Sequence, residues 1–377
     1  MKNGKINIIM IVLDGLRADR LNLCPSLSKI LKKSYYFPNM ITAAPYTVAS
    51  FHSIFSGLYP SKNGVNSYFN MFKFRKEVCK TLPQYLQDKG HYTETNIFGK
   101  AFVPPQGIDT ISVHDEYKED IIKLHKGIID EISKKEKFFL FLQYSKIHAQ
   151  SVKNVGKKFD DMDKKFFRNY KSNIKKYNSY LKELDVYVKE IFYYIESLGL
   201  LKNTILVLLS DHGTSNGEKI GEKMYGSFTY DYTIKVFCTF MVPNTQGKEI
   251  EFQTRTIDIM PTLMDILEIK ADDSYEHLQG KSLIPLMEGK EKEDRIAFSE
   301  TGGLNGPWPS HKEHNVFCVR LKKWKLVYNK TPDTWEMYNL VEDAEEKTNI
   351  FGKNKELTSA MKKILLDQIA LNERNIA

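Results

Sequence analysis

The run Ile205 to Leu209, ILVLL, constrains this chain more than any other stretch. Five apolar residues with β-branched members have the length of a strand buried on both faces. The run stops at Ser210, Asp211 and His212 follow at once, and Gly213 allows a sharp turn. A carboxylate and an imidazole thus stand at the carboxyl end of a core strand, the edge where open α/β sheets bind ligands. Ile8 to Leu13, IIMIVL, has the same form and runs into Asp14 and Gly15. Two core strands that each deliver an acid to one edge point to a metal site.

The rest of the chain supplies the layers such strands need. A short helix is expected over Cys24 to Lys33, begun by Pro25 and Ser26, and Phe37 to Gly64 reads mostly as loop and helix start. Leu82 to Lys89 reads as a helix closed by Gly90, with a strand from His91 to Ile97. Phe138 to Tyr144, FFLFLQY, is another buried strand, followed by His148 in a loop. Phe166 to Leu198 reads as one long helix, since Tyr177, Leu181, Leu184, Val188, Ile191, Ile195 and Leu198 keep helical spacing. A strand at Phe237 to Val242 and a helix at Asp258 to Leu267 complete the pattern. The expected fold is α/β: a mixed, mostly parallel sheet sandwiched by helices.

From about Gly289 the texture changes. Phe317 to Arg320 and Lys325 to Tyr328 read as paired antiparallel strands, and Leu357 to Leu371 as a last helix. This divides the chain into an α/β domain, 1–288, and a small carboxyl-terminal α+β subdomain, 289–377, packed on it.

Composition sets outer bounds. The 377 residues are 42% hydrophobic and 12% aromatic, enough for a sizeable core. The net charge of +8 is spread along the chain, without a basic stripe interleaved with aromatics, so a nucleic-acid partner is not expected. Cys24, Cys79, Cys238 and Cys318 form no C-x-x-C pair and read as reduced core thiols. The apolar run after Lys2 and Lys5 is too short for a signal or membrane helix, and no later run reaches spanning length, so a soluble cytoplasmic protein is expected.

Between the two acids lies APYTVASFHSIFSGLYPSKNG, Ala44 to Gly64. Thr47 sits just ahead of a helix start over Ala49 to Phe55, where amides favour an oxyanion. Bound to a divalent cation, its hydroxyl could become a nucleophilic alkoxide; the alternative role is a helix N-cap.

IVLDGLRAD, PYTVASFHSIFSGLYPSKNG, TLPQYLQDKGHYT and FLFLQYSKIH occur here in order, followed by LSDHGTSNGEK, YDYTIKV, RTIDIMPTLMDIL, LQGKSLIPLMEG and KWKLVYNK…WEMYNL. In that order and spacing the chain resembles the sulfatase family of the alkaline phosphatase superfamily over nearly its whole length. The resemblance implies the family's alkaline-phosphatase-like fold and metal binding by Asp14, Thr47, Asp211 and His212. Three oxygens and one imidazole nitrogen suit a single Mn²⁺ or Zn²⁺ better than Ca²⁺, with Mg²⁺ also admissible.

Three departures matter. Sulfatases carry Cys or Ser in a Cys/Ser-x-Pro-x-Arg motif, oxidised to formylglycine; here Thr47 is followed by Val48, Ala49, Ser50 and Phe51. Threonine there resembles the superfamily's phosphodiesterases, phosphonate hydrolases and phosphoryl-group transferases. Two-metal members have an Asp-x-x-x-His before the Asp-His pair, whereas Asp185 is followed by Lys189 and reads as a structural acid at a helix–sheet contact. A family lysine four residues before a tyrosine falls here on Gly226, counted back from Tyr230. Lys219, Lys223 and Tyr225 lie in the same Gly-rich loop and could serve an anionic substrate, with solvated surface lysines as the alternative.

His148, after a core strand as in the family, could protonate a leaving oxygen, or be a loop histidine without a role. His52, one helical turn from Thr47, could line the pocket or simply pack. By resemblance, Trp308, His311 and Lys312 of GGLNGPWPSHK would shape the substrate pocket. Arg255 and Asp258 read as a structural pair at a helix start.

The sequence thus leads to a metal-dependent hydrolase or transferase acting on a phosphoester, with Thr47 as nucleophile. Its substrate would be an anionic phospho- or sulfo-ester, with a surface glycan or glycolipid as one candidate. The alternatives are a sulfuric ester hydrolase working without formylglycine, and a non-catalytic binding protein that keeps the fold.

Overall fold

The computed structural model describes residues 5–156, 158, 163–302 and 315–374. The larger sheet contains β1 (Asn7–Leu13), β2 (Tyr35–Ile41), β3 (Tyr92–Ile97), β4 (Thr110–Val113), β5 (Phe138–Tyr144), β6 (Thr204–Leu209), β7 (Lys235–Met241), β8 (Lys248–Glu249) and β9 (Thr254–Arg255). Their order is β4-β3-β5-β1-β6-β7-β2-β8, with β9 also on β2. β7 runs antiparallel to both its neighbours, β6 and β2, and the other pairings are parallel. β1 lies between β5 and β6, so the two acid-bearing strands are neighbours at the centre of the sheet.

Period-two alternation divides the central strands between two cores. Ile8, Met10, Val12, Phe139, Phe141, Ile205, Val207 and Leu209 pack on one face with Phe51, Ile54 and Phe55 of the Thr47–Ser56 helix. Ile9, Ile11, Leu13, Leu140, Leu142, Leu206 and Leu208 pack on the other with Leu181, Leu184, Val188 and Ile191 of the Tyr170–Ser197 helix. Each such side chain contributes roughly 1.5–3 kcal/mol on leaving water. That burial holds the carboxyl edge of β1 and β6 rigid.

The second sheet is antiparallel, in the order β10 (Ala297–Thr301), β11 (Val316–Arg320), β12 (Trp324–Asn329), β13 (Thr334–Asn339). Val319, Leu326 and Met337 on one face take Met361 and Leu365 of the Lys355–Glu373 helix. Val316, Cys318 and Val327 on the other pack against Phe228, Tyr230 and Ile234 of the larger unit. At this junction Lys325, fully buried, bridges Asp231 at 3.0 Å and Glu346 at 2.7 Å, and Arg320 reaches Asp231 at 2.7 Å.

Several local expectations change. The stretch expected as loop after Phe37 contains β2, whose Pro38 and Asn39 mask the strand signal and sit where the register with β7 shifts. The long helix is two, Lys164–Arg168 and Tyr170–Ser197, broken at Asn169. His148 lies not in a loop but in a short helix, Lys146–Ser151. Asp185 is a structural acid, but at a helix–helix contact: it accepts the Ser26 amide at 2.9 Å and the Leu27 amide at 3.0 Å, at the start of the Pro25–Leu31 helix. Arg255 and Asp258 pair at 2.7 Å as expected. All four cysteines are buried and unpaired with one another.

Candidate functional site

β1 and β6 end side by side, and each is followed at once by a polar residue it cannot bury in the sheet. Gly15, at φ +73°, turns the chain after Asp14. Gly213 turns it after His212, where a Cβ would stand 2.1 Å from the carbonyl oxygen of Tyr232. The Thr47–Ser56 helix brings its amino end to the same place. Ser50 Oγ donates to the carbonyl of Asp211 at 3.0 Å, fixing the helix to that turn.

Thr47 is the first residue of this helix, and Tyr46 occupies the N-cap position without a side-chain bond. The N-cap reading of Thr47 is therefore corrected: its hydroxyl is directed to His212 Nε2, 3.1 Å away. The Ser50 amide is the first to bond back, to Tyr46. The amides of Thr47, Val48 and Ala49 thus have no acceptor within the helix and favour negative charge beside Thr47.

Asp14, Asp211 and His212 offer ligand atoms that all lie within 4.8 Å of one another, and all three are buried. Asp14 Oδ2 accepts from Gln143 Nε2 at 2.8 Å, which leaves Oδ1 without a partner. Asp211 Oδ1 accepts the amides of His212 at 2.9 Å and Gly15 at 3.3 Å, which leaves Oδ2 without one. His212 Nδ1 donates to the Gly213 carbonyl at 2.8 Å, so Nε2 presents its lone pair. Two orphaned carboxylate oxygens and one imidazole lone pair converging in a dry site fit a divalent cation.

The electrostatics point the same way. Burial opposes charge on Asp14, yet His148, His212 and the Gln143 hydrogen bond outweigh it and hold the carboxyl below its ordinary range. Burial, then the Asp14 charge, pushes Asp211 well above. Burial also lowers His212. Two carboxylates this close cannot both stay charged cheaply unless a cation stands between them.

His148 joins the constellation, its Nδ1 3.6 Å from Asp14 Oδ2. Burial lowers its affinity for a proton, but Asp14 raises it further, and the net direction is upward. Its Nε2 shares a hydrogen bond of 2.9 Å with the Tyr225 hydroxyl, and the Tyr225 ring lies 4.7 Å from that of His212. Tyr225 is thus the residue of the Gly-rich loop brought onto the site.

The other candidates lie elsewhere. His52 is 2% exposed; its ring packs on Phe74 and its Nδ1 donates to the Val48 carbonyl at 2.8 Å. Burial lowers its pKa to about 4, so it is a neutral packed histidine, not pocket lining. Lys219 is turned toward the carboxyl-terminal subdomain, bonding the Glu346 carbonyl with its ammonium 4.4 Å from the Tyr230 ring. Lys223 is partly exposed in the loop between Glu222 and Tyr225. Trp308, His311 and Lys312 lie outside the described residues.

Three contributors escaped sequence reading. Gln143 reads as one more strand residue, and only the pairing of β5 with β1 places it beside Asp14. Glu116, in the acidic stretch HDEYKED, accepts the Ser145 amide and holds the start of the helix carrying His148. Tyr68 stacks on Tyr46 with centroids 4.6 Å apart.

A mostly parallel sheet whose central strands end in a buried Asp, Asp, His set beside a helix-start hydroxyl defines an α/β fold of the alkaline-phosphatase-like type. The Sulfatase family model matches residues 6–269, and the chain belongs to that family, within the alkaline phosphatase superfamily. A second model, N-sulphoglucosamine sulphohydrolase, C-terminal, matches residues 223–371.

Arylsulfatase K of Bos taurus is 28% identical over 173 residues, which are 44% of this chain and 30% of that protein. N-acetylglucosamine-6-O-sulfatase of Bacteroides thetaiotaomicron is 29% identical over 169 residues, 42% of this chain and 28% of that protein. The matches thus span about a third of these curated relatives' length. Among solved structures, the phosphonate monoester hydrolase of Agrobacterium radiobacter aligns with a TM-score of 0.76 at 15% identity, covering 97% of this chain and 96% of that one. At such identity the likeness shows the fold. Among the described residues no helix is long and apolar enough to cross a membrane.

Proposed function

We propose that the chain is a metal-dependent hydrolase of sulfuric esters that uses Thr47 where its family relatives use formylglycine. The observation that carries this reading is the hydrogen-bonded approach of Thr47 Oγ1 to a buried Asp14–Asp211–His212 set with two orphaned oxygens. The curated relatives matched are sulfatases, which favours sulfate over the phosphoester expected from threonine alone.

The cation that Asp14, Asp211 and His212 would hold, completed by Thr47, supplies positive charge that makes a nearby hydroxyl more acidic and steadies ester oxygens. Thr47 Oγ1 gives its proton to a site water and bonds to sulfur as the bond from sulfur to the leaving oxygen breaks. The helix-start amides stabilise the equatorial oxygens. His148, whose proton affinity is raised by Asp14, carries a proton on Nε2 and gives it to the leaving oxygen once its hydrogen bond to Tyr225 opens. Water then attacks sulfur, the Oγ1–S bond breaks, and sulfate departs with the threonine hydroxyl restored.

A second reading, hydrolysis or transfer of a phosphoester by the same steps at phosphorus, keeps one observation in its favour. An unoxidised threonine leaves its intermediate to be resolved by direct attack on the central atom, a step common in phosphoryl chemistry. Rates on an aryl sulfate and an aryl phosphodiester with the same leaving group, measured on one preparation with added Mn²⁺, separate the two. Faster sulfate turnover supports the proposal; faster phosphodiester turnover replaces it with the second reading. A solved relative of the same fold is described with D-glucosamine-2-N,6-O-disulfate as its substrate, at 18% identity and TM-score 0.76 over 99% of both chains, so sulfated amino sugars are a reasonable first natural class to assay.

A further inference from the structure

A cavity of about 780 Å³ lies behind the Asp211–Gly213 turn, between the larger sheet and the antiparallel subdomain. Arg17 and Tyr232 line it and also close on Gly213, while none of Asp14, Thr47, His148, Asp211 and His212 borders it. Its volume falls in the range of roughly 300–1,000 Å³ that holds small organic ligands.

Most cations on its wall are already matched. Arg17 pairs with Asp19 and Glu218, Arg320 with Asp231, Lys322 with Asp294 at 3.6 Å, and Lys347 with Glu345. Lys235, the half-buried first residue of β7, is different: no hydrogen bond, ion pair or ring contact meets its ammonium among the described residues. Arg20 reaches Asp19 only at 3.5 Å through Nη2, and its buried Nε has no acceptor. Burial holds the Lys235 ammonium below its ordinary range despite the pull of Asp231. Tyr170, Ile174, Leu340 and Val341 give the cavity an apolar panel, while Asn39 and Glu251 offer an amide and a carboxylate as partners for hydroxyl groups.

We propose that this cavity is a second ligand site, taking a hydroxylated organic acid of monosaccharide to disaccharide size. Its carboxylate or sulfate lies on Lys235 and Arg20, and its ring on the apolar panel. An uncharged sugar leaves Lys235 unmatched. A bare inorganic anion leaves the panel bare.

Calorimetric titration of the full chain with glucuronate, glucose 6-sulfate and glucose tests this. At least one acid is expected to bind with Kd on the order of 1 mM, about tenfold or more tighter than glucose. The tighter acid identifies carboxylate or sulfate as the anion. Lys235→Met should weaken that acid about tenfold, and Lys235→Arg should retain it within about threefold. Aryl sulfate turnover should stay within about twofold of wild type in both variants, because Lys235 lies outside the reacting groups. Arg20→Met supplies the same comparison if Lys235→Met does not fold. Glucose binding as tightly as the acids, unchanged acid affinity in the methionine variants, or no binding of either acid at about 20 mM overturns the proposal. So does loss of turnover in a folded Lys235→Met protein, which would move Lys235 into the catalytic machinery.

Discussion

The Tyr225 hydroxyl and His148 Nε2 share a hydrogen bond of 2.9 Å, on the nitrogen that would serve a leaving group. Thr47 is 4% exposed. For His148 Nε2 to reach a leaving oxygen, this hydrogen bond has to open. Tyr225→Phe removes an interaction of about 1 kcal/mol and is expected to raise kcat/KM for a small aryl ester by up to about fivefold. A fall in kcat/KM would instead make the hydroxyl a substrate ligand.

Thr47→Ala should lower turnover at least about 10³-fold with circular dichroism unchanged, because the side chain is small and, among the described residues, its hydroxyl bonds to His212 alone. Thr47→Ser should retain measurable rate, since it keeps the hydroxyl. An alanine variant as active as wild type would remove the mechanism.

Cation binding should raise stability. At about one hundred times Kd the gain is about 3 kcal/mol, read as a higher Tm on titrating Mn²⁺ or Zn²⁺ into chelator-treated protein. The double variant Asp14→Asn, Asp211→Asn should lose the shift, having given up both charges. No shift with Mn²⁺, Zn²⁺, Mg²⁺ or Ca²⁺ in the wild type would leave the two orphaned oxygens without their explanation.

Asp185 caps the Pro25–Leu31 helix through the Ser26 and Leu27 amides. Asp185→Ala should cost about 1–2 kcal/mol in urea unfolding, the size of a lost capping interaction, with bound-metal content unchanged. Metal loss from the folded variant would argue for a second cation.

Glu300 gives the pH dependence of stability a definite sign. Burial raises its carboxyl from 4.5 to about 7, against the lowering effect of hydrogen bonds from Ser61. Between those values the folded carboxyl keeps a proton that the unfolded one has lost, so stability falls as pH rises. The full effect is about 3 kcal/mol, complete above pH ~7. Urea unfolding at pH 5 and 8 should show a shallower loss in Glu300→Gln, which keeps an oxygen for the Ser61 amide. An equal loss in both proteins would assign the slope to other groups.

The strands that carry the site were legible because they are buried on both faces: Phe138 to Tyr144 matches β5 end for end, and the runs ending at Leu13 and Leu209 match β1 and β6 to within one residue at their starts. Asp14, Asp211 and His212 follow directly from them. β2 was hidden because Pro38 and Asn39 interrupt its pattern, and β4 because Thr110–Val113 is short and partly exposed. The Tyr225–His148 contact was not legible either: it joins residues 77 positions apart through loop and helix geometry that no local periodicity encodes.

The proposed cation ligands follow strands that pair directly, yet Gly15 and Asp211, which hydrogen-bond at the site, are 196 positions apart along the chain. A refolding molecule therefore has half a coordination set until β6 docks beside β1. Metal uptake then becomes a clock for completion of the sheet: a cation-sensitive signal should lag early helix formation and rise with the last central pairing. Holding the ion also ties the two strands together, so metal-loaded protein should unfold more slowly than stripped protein.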